Sequence, residues 1–339
     1  MKEVRVEDAV GMVLCHDLTE IVPGKFKGCA FRKGHIIEEK DIEKLLDIGK
    51  RYIYVWDLDE GYVHENDAAK RMVDAAIGQG ITYGEPKEGK ITLKAAYQGV
   101  LKINLDLLYQ VNEDEAICFS TIHGNKVVLE GKALAGARVI PLAVKKEVIE
   151  KFEKICKEQG PLIEVLPIKK AKIGIVTTGS EVQSGRIEDK FGPVLEAKAK
   201  ELGAEIVGQV FPGDDAEKIK EAILSFLEQG VDLVEVSGGM SVDPDDRTPK
   251  AIRDCGGEVI TYGTPVLPGA MFMLSYVNRT PVVGLPGCVM YAKRTVYDLM
   301  VPRILAGERL TRRDFILLAH GGQCQNCEHC VYPDCGFGQ

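Results

Sequence analysis

The 339-residue sequence lacks three features that would each point to a particular class of protein. It contains no uninterrupted run of about 18 apolar residues, the length that a membrane-spanning helix needs. Its opening residues, Met1–Glu7, are charged and lack the apolar stretch of a signal peptide. Its 43 Lys and Arg are outnumbered by 51 Asp and Glu, for a formal net charge of −8. We therefore predict a cytoplasmic protein with no membrane or nucleic-acid partner.

The hydrophobic fraction of 45% is ample for more than one core in a chain of this length. The fold class predicted is α/β, with a C-terminal three-layer α/β domain built on a mainly parallel sheet and preceded by smaller α+β or β-rich domains. The predicted boundaries are a small α+β domain over 1–60, a mixed α+β domain over 61–168, an α/β domain over 169–310 and a cysteine-rich segment over 311–339.

Hydrophobic periodicity predicts the individual elements. In the first half we expect helices over 38–49, 67–76 and 146–158, and strands over 51–56, 115–120, 126–129 and 137–142. The second half alternates regularly: strand 173–176, helix 194–202, strand 205–210, helix 216–227 and strand 233–236. This alternation is typical of a parallel sheet covered by helices on both faces.

Two glycine-containing turns, Thr177–Glu181 and Gly238–Asp246, each follow an apolar strand. A turn that leaves a strand and enters a helix exposes backbone N–H groups and the positive end of a helix dipole, which suits an anion. Each turn also carries a hydroxyl and carboxylates, so the pair indicates a phosphorylated ligand bound with Mg²⁺. The alternative is that the turns only connect elements and that the carboxylates stabilise helix starts, by about 0.3–1 kcal/mol.

Two later loops contain Pro-Gly pairs, Pro265–Gly269 and Gly284–Cys288. In open α/β sheets, ligands bind beyond the carboxyl ends of the strands, which is where these loops are expected.

The order Thr-Gly-Ser-Glu, Gly-Gly-Met-Ser with a following Asp, Pro-Gly and Gly-Leu-Pro-Gly resembles the molybdopterin-binding domain of molybdenum-cofactor biosynthesis proteins, in particular the molybdopterin molybdotransferases. The resemblance covers Lys172 to about Gly307, and Val6–Leu14 also resembles the opening of molybdotransferases. It implies a transferase that binds free or adenylylated molybdopterin, inserts molybdate with Mg²⁺ and releases AMP. It further implies a homo-oligomer.

Carried over residue by residue, the resemblance places Glu181 and Asp246 at the Mg²⁺ and molybdate site as the catalytic carboxylates. It assigns ligand binding to residues of all four motifs: Thr178, Gly179, Ser180, Gly238, Gly239, Ser241, Pro268, Gly269, Pro286 and Gly287.

The sequence departs from the family pattern at four points. Ser180 stands where a carboxylate is usual, and Cys288 stands where Asn usually follows Gly-Leu-Pro-Gly. The internal Asp-Gly-Tyr-Ala motif is matched only faintly, by Glu60–Val63. A cysteine-rich segment takes the place of the small C-terminal β domain. A second function therefore stays open: a non-catalytic molybdopterin-binding or redox-sensing protein that delivers or monitors the cofactor and docks with a molybdoenzyme partner.

The cysteines fall into two groups. Six of the ten are scattered in apolar or helical contexts and are expected to be buried thiols. The other four, Cys324, Cys327, Cys330 and Cys335, are spaced closely enough to converge on one zinc ion or one iron-sulfur cluster. The three-Cys run with two-residue gaps favours iron-sulfur slightly, with zinc close behind. The alternative is an unstructured thiol cluster without metal.

Overall fold

The computed structural model describes residues 2–22, 26–55, 61–244 and 246–339, with the side chain of Phe26 outside that description. The chain divides into two compact units. The first comprises Met1–Ala96, Ile103–Ile122 and Gly131–Glu164, and the second Tyr97–Lys102, His123–Glu130 and Val165–Gln339. The division into four domains expected from the sequence stays a prediction.

The first half of the chain contains short strands and four helices among its described residues. In chain order these are β1 (Lys2–Arg5), β2 (Leu18–Val22), β3 (Phe26–Phe31), α1 (Asp41–Asp47), β4 (Tyr52–Val55), β5 (Tyr62–His64), α2 (Glu65–Ala76), β6 (Ile81–Tyr83), β7 (Ile91–Ala95), β8 (Gly99–Ile103), α3 (Leu105–Val111), β9 (Ile117–Thr121), β10 (Lys126–Val128), β11 (Ala133–Val139), β12 (Ala143–Lys145), α4 (Lys146–Gln159) and β13 (Ile163–Pro167).

Small sheets organise these strands. The pairs β1–β4, β2–β3 and β5–β12 are antiparallel, and β6-β7-β11-β9 forms a four-stranded sheet. Helix α2 buries Ala68, Ala69, Met72, Val73 and Ala76, whose spacing of three to four residues gives one apolar face. A further sheet has the order β10-β8-β13.

The second half of the chain alternates strands and helices. Its elements are β14 (Lys172–Thr177), α5 (Ser180–Gln183), α6 (Phe191–Glu201), β15 (Glu205–Val210), α7 (Ala216–Glu228), β16 (Leu233–Ser237), α8 (Thr248–Asp254), β17 (Glu258–Tyr262), β18 (Met273–Val277), β19 (Thr280–Leu285), α9 (Val296–Leu305) and α10 (Arg312–Leu317).

One six-stranded sheet of order β15-β14-β16-β19-β18-β17 carries these elements. Strands β15, β14, β16 and β19 are parallel to one another. At one edge, β18 pairs antiparallel with β19, and β17 pairs antiparallel with β18. Apolar clusters lie on both faces. One contains Leu195 of α6 and Met300 of α9, and the other contains Ile223 of α7 and Ile252 of α8. The three-layer α/β fold with a mainly parallel sheet is therefore confirmed.

Helix α9 is buried over its whole length, from Val296 to Leu305. Its two charged residues, Asp298 and Arg303, each form ion pairs with neighbouring side chains. Asp298 accepts from Lys198 Nζ at 2.6 Å and from Arg294 at 2.8 Å, and Arg303 donates to Asp314 at 2.6 Å. Buried charges are tolerated only when they are paired in this way.

Two sequence predictions fall partly outside the described residues. Trp56, the last residue of the strand expected over 51–56, and Glu60 of the faint Asp-Gly-Tyr-Ala match both lie there. Over the ranges that the structure describes, every helix is too short or too polar to cross a membrane.

Candidate functional site

The two glycine-containing turns meet at one edge of the six-stranded sheet. Strands β14 and β16 are parallel neighbours, and Thr177 at the end of one lies opposite Ser237 at the end of the other. Their side-chain oxygens are 3.1 Å apart, and Thr178 N donates to Ser237 O at 2.8 Å. Because the carboxyl ends of parallel strands share one edge, residues 61 positions apart in sequence, such as Thr178 and Gly239, become neighbours.

The second turn approaches the first too closely for any side chain. Gly238 and Gly239 have φ values of +87° and +56°, a region that favours glycine. A Cβ atom on Gly238 would lie 2.7 Å from Thr178 Oγ1, and one on Gly239 would lie 2.9 Å from Thr248 Oγ1. Thr248 Oγ1 in turn donates to Gly238 O at 2.8 Å. The Thr248 hydroxyl therefore holds the backbone of the turn, and the Thr178 hydroxyl leaves no room for a side chain on Gly238.

A cavity of about 850 Å³ opens between these turns. The volume is in the range of small-molecule sites. Its lining comes from the loop after β14, from α5, from the start of α6 and the loop before it, and from the loops after β15, β16 and β19: Thr178, Gly179, Glu181, Val182, Ile187, Glu188, Asp189, Lys190, Phe191, Asp214, Gly238, Gly239, Asp243, Pro244, Asp246 and Met290.

The cavity brings together six of the predicted site residues: Thr178, Gly179, Glu181, Gly238, Gly239 and Asp246. Ser180 lies beside them, and its backbone N–H donates to Asp214 Oδ2 at 2.7 Å. Ser241, Pro268, Gly269, Pro286 and Gly287 are absent from the described lining. Asp245 of the second turn lies outside the described residues.

The Pro268–Gly269 pair contacts the start of helix α9. Pro268 O accepts from Val296 N at 3.2 Å, and a Cβ on Gly269 would lie 2.5 Å from Val296 Cγ1. The Gly287–Met290 segment forms a single 3₁₀ turn, and its last residue, Met290, lines the cavity. The described structure thus gives the first pair a packing contact at α9, whereas the second motif lies next to Met290, which lines the cavity.

Carboxylates dominate the charge of the lining. Six lie there, Glu181, Glu188, Asp189, Asp214, Asp243 and Asp246, against the single cationic side chain of Lys190 among the described lining residues. A phosphorylated ligand would be repelled by so many carboxylates unless cations accompanied it.

Asp189 is a residue that the sequence interpretation missed. Its carboxylate accepts from Phe191 N at 2.8 Å and Gly192 N at 3.0 Å, so it caps the start of helix α6. Gln209 Nε2 donates both to Asp189 Oδ2 at 2.7 Å and to Thr177 Oγ1 at 2.8 Å. An Asp two residues before a helix was the available signal, but its neighbours across the sheet could not be read from the sequence.

The carboxylates offer the hard oxygen donors that Mg²⁺ takes. They do not form a complete cage, since the structure over its described ranges places no group of three or more His, Cys, Asp or Glu to hold a metal ion. Mg²⁺ is commonly bound through one or two carboxylates together with water and substrate phosphates. Mg²⁺ at this site therefore stays a prediction.

Glu235 is a second unpredicted feature, in strand β16 two residues before Ser237. It is fully buried, and burial raises its pKa to about 7. Tyr297 of α9 donates to Glu235 Oε1 at 2.8 Å, while Oε2 has no hydrogen-bond partner among the described residues. The one visible signal was a carboxylate inside an otherwise apolar strand, Leu233–Ser237.

The four closely spaced cysteines lie in residues 321–338, which we call the cysteine segment. Cys324 and Cys335 are partly buried, and Cys327 and Cys330 are exposed. Among the described residues, these four thiols do not form a group of three or more ligands that could hold a metal ion. Zinc or an iron-sulfur cluster at this segment stays a prediction.

Comparison with known families identifies part of the chain. Residues 174–306 match the family described as a probable molybdopterin binding domain. The resemblance carried by the four motifs is thereby confirmed for this part of the chain. Residues 3–57 match a family described only as a domain of unknown function.

Curated relatives share parts of this chain. A CinA-like protein of Mycobacterium tuberculosis (strain ATCC 25177 / H37Ra) is 40% identical over 91 residues, 26% of this chain and 21% of the relative. A CinA-like protein of Mycolicibacterium paratuberculosis is 38% identical over 114 residues, 33% of this chain and 26% of the relative. The chain therefore spans about a quarter or less of the length of these relatives.

Solved structures give weak overall matches. The molybdopterin biosynthesis MoeA protein from Pyrococcus horikosii is 16% identical and aligns over 90% of this chain and 74% of its own, with a TM-score of 0.35. The molybdopterin biosynthesis enzyme MoaB from Thermus thermophilus is 19% identical and aligns over 41% of this chain and 98% of its own, with a TM-score of 0.34.

Proposed function

We propose that the domain over residues 174–306 binds molybdopterin, free or adenylylated, in a step of molybdenum cofactor biosynthesis. The observation that carries the proposal is the meeting of Thr178-Gly179 and Gly238-Gly239 at one cavity of about 850 Å³, within the residues that match the probable molybdopterin binding domain.

The chemistry of the cavity suits a phosphorylated ligand bound with a cation. The backbone of both turns lines the cavity at Gly179, Gly238 and Gly239, where N–H groups can face an anionic ligand. Glu181 and Asp246 line the same cavity and would hold Mg²⁺ together with ligand phosphate oxygens. Bound there, Mg²⁺ would reduce the repulsion between an anionic pterin and an anionic oxometalate.

The reaction that we favour is insertion of molybdate into adenylylated molybdopterin, in which cleavage of the adenylyl linkage releases AMP. Glu181 and Asp246 are the proposed catalytic carboxylates. Ser180, Ser241, Pro268, Gly269, Pro286 and Gly287 keep their proposed binding roles as predictions.

The test uses the full chain with adenylylated molybdopterin, molybdate and Mg²⁺, and measures AMP release. Asp246→Asn should abolish release and leave the circular dichroism spectrum unchanged. Asp254→Asn is the matched control, because Asp254 ends helix α8 in the same domain and pairs with Lys250 at the surface. Full activity of Asp246→Asn would remove this carboxylate from the proposed mechanism.

The second function, binding or sensing without turnover, is favoured by one observation. Ser180 replaces the family carboxylate, and its backbone N–H is already engaged by Asp214 at 2.7 Å. If the full chain binds molybdopterin but releases no AMP, this second function replaces the first.

Other parts of the proposal come from the sequence. They are a cytoplasmic location, homo-oligomerisation, a molybdoenzyme partner, and zinc or iron-sulfur at Cys324, Cys327, Cys330 and Cys335. Elemental analysis and an anaerobic visible spectrum of the purified chain test the last of these.

A further inference from the structure

A second cavity lies at the opposite edge of the six-stranded sheet. Two of its lining residues, Ala171 and Asp232, come directly before β14 and β16, and Pro281 is the second residue of β19. The cavity therefore lies at the amino ends of the parallel strands, and it shares no lining residue with the candidate cavity at their carboxyl ends. Its volume of about 480 Å³ is in the range of small-molecule sites.

Part of the lining of this second cavity is apolar and buried. Ala171, Tyr276, Ile304 and Leu305 line the cavity, and all four are among the buried residues of the second compact unit. An apolar group of a ligand would be removed from water by contact with these side chains, which favours binding.

The rest of the lining contains three cationic side chains: Lys169, Arg279 and Arg309. Arg309 is paired with Glu258, and its guanidinium carbon lies 4.3 Å from the centre of the Tyr276 ring. Lys169 and Arg279 have no ion-pair partner among the residues that the structure describes. Two cations at the cavity are therefore available to a ligand.

The two carboxylates of the lining are already engaged. Asp232 Oδ2 accepts from Lys172 N at 2.8 Å. Glu308 Oε2 accepts from Lys102 Nζ at 2.8 Å and from Arg303 at 2.9 Å. Because two further cations offset the charge of Glu308, the cavity attracts anions, in contrast to the acidic candidate cavity.

Arg279 occupies a position where glycine is favoured. The two-residue turn Asn278-Arg279 joins β18 to β19, since Val277 pairs with Thr280. The φ values of Asn278 and Arg279 are +48° and +76°, and hairpin turns with positive φ at both central residues favour Asn followed by Gly. An arginine side chain in this conformation is strained, and strain of this kind is concentrated at ligand-binding sites.

Lys169 is held at the end of helix α9. Its backbone N donates to Leu305 O at 3.2 Å, and a Cβ on Gly307 would lie 3.5 Å from Lys169 Nζ. The ammonium group thus lies beside the backbone that follows α9, at the cavity. The negative end of the α9 dipole also favours a cation there, so the test must separate a structural role of Lys169 from ligand binding.

We propose that this second cavity binds a small aromatic phosphate. Lys169 and Arg279 hold the phosphate, because a guanidinium and an ammonium together match a doubly charged anion. The ring of the ligand packs on the buried side chains of Tyr276, Ile304 and Leu305. This site does not depend on molybdopterin binding at the candidate cavity.

The first experiment titrates the full chain with phenyl phosphate, without added Mg²⁺, and follows binding by ligand-detected NMR. We expect a dissociation constant of about 1 mM or lower, as for a ligand of this size. Inorganic phosphate and phenol should each bind at least about tenfold more weakly, because each offers only one half of the recognised chemistry. Absence of saturable phenyl phosphate binding would overturn the proposal. Equal binding of inorganic phosphate would overturn the role of the apolar lining.

Variants locate the site. Arg279→Gly and Lys169→Gln should each weaken phenyl phosphate binding about tenfold or more, the usual effect of losing a charge-assisted hydrogen bond. Lys170→Gln is the matched control, because Lys170 is exposed and adjacent in sequence but absent from the described lining. Lys190→Gln removes the cation of the candidate cavity and should also leave binding unchanged.

Urea unfolding of the same variants excludes general damage. Arg279→Gly should leave the urea midpoint unchanged or higher, since glycine adopts a φ of +76° without strain. A loss of binding without a loss of stability is a result that a purely structural role of Arg279 does not give. Unchanged binding in both Arg279→Gly and Lys169→Gln, or binding lost in Lys190→Gln, would place the phosphate elsewhere and refute the proposal.

Discussion

Gly238 combines a conformational demand with a steric one. Its φ of +87° favours glycine, and a Cβ would lie 2.7 Å from Thr178 Oγ1 and 2.9 Å from Thr178 O. We predict that Gly238→Ala lowers the free energy of unfolding by more than about 2 kcal/mol, the sum of left-handed backbone strain and a clash with a buried neighbour. Urea unfolding measures this, and molybdopterin binding should weaken in parallel.

The control for this prediction is Gly203→Ala. Gly203 has a similar φ of +74°, but nothing lies within 4 Å of a Cβ added there. This variant carries the backbone strain alone and should cost about 1 kcal/mol. Equal losses from the two variants would show that the close approach of the two turns contributes nothing.

Glu235 makes stability depend on pH. Burial raises its pKa to about 7 in the folded chain, from an ordinary value of 4.5. The folded chain therefore holds this proton more tightly than the unfolded chain does. The resulting stabilisation is complete below the unfolded pKa and is lost as pH rises through the folded pKa, a difference of roughly 3 kcal/mol.

Glu235→Gln should remove this pH dependence while keeping an acceptor for Tyr297. Urea unfolding between about pH 5 and pH 8 measures the slope. Glu228→Gln, a change at an exposed Glu on α7, should leave the slope of the parent chain intact. An unchanged slope in Glu235→Gln would show that this carboxyl does not hold its proton in the folded state.

Among the elements, helix α9 depends on the cap at its first turn. Tyr297 N donates to Thr295 Oγ1 at 3.2 Å, and Thr295 N donates to Asp298 Oδ2 at 2.8 Å. Thr295 is fully buried, so water cannot replace the lost bond. We predict that Thr295→Ala costs about 2 kcal/mol of unfolding free energy, the upper end of the range for caps.

Helix α10 supplies the matched comparison. Thr311 forms the same kind of capping box with Asp314, but it is exposed. Thr311→Ala should cost only about 0.5 kcal/mol. Urea unfolding of both variants tests the difference, and a smaller loss for Thr295→Ala would contradict the role assigned to burial.

The sequence predicted strands β14, β15 and β16 and helix α7 close to their bounds, but it missed helix α9. Helix α7 and strand β15 lie close to or at their predicted bounds, because each shows a clear apolar pattern. Helix α6 begins at Phe191, three residues before its predicted start, because Asp189 caps it. Helix α9 was not predicted, since a helix buried all round has no polar face to give a period, and Pro302 within it is a residue that usually breaks helices.

At the scale of the whole molecule, the second compact unit is not one continuous stretch of chain. It includes residues 97–102 and 123–130. Lys102 Nζ bonds Glu308 at 2.8 Å, and Lys126 Nζ donates to Pro333 O at 3.3 Å. A fragment that begins at residue 169, the predicted domain start, loses both contacts.

We therefore predict that the fragment 169–339 is less stable than the same residues in the full chain. Hydrogen exchange of peptides from helix α9 reports the stability of the second compact unit only. Exchange should be faster in the fragment, because this unit unfolds locally more often there. Equal protection in both proteins would show that the two early segments contribute little, and would support the boundary predicted at 169.

The candidate site shows the same limit of sequence reasoning. Local motifs identified Thr178, Gly179, Gly238 and Gly239, because the residues of each turn are consecutive in the sequence. Asp214 reaches the cavity from the loop after another strand, and only the strand order of the sheet brings it there. The acidity of the lining was therefore underestimated from the motifs alone.

The burial of helix α9 also limits which amino-acid substitutions the protein can tolerate. Each of its ten residues, Val296–Leu305, is buried, so no position in it offers a neutral solvent face. Exposed helices absorb substitutions on one side, but here every replacement meets a packed neighbour or a paired charge. In a library of all single substitutions, all ten positions of α9 should tolerate few replacements, whereas the positions of α7 other than the buried Ile219, Ile223 and Phe226 should tolerate many.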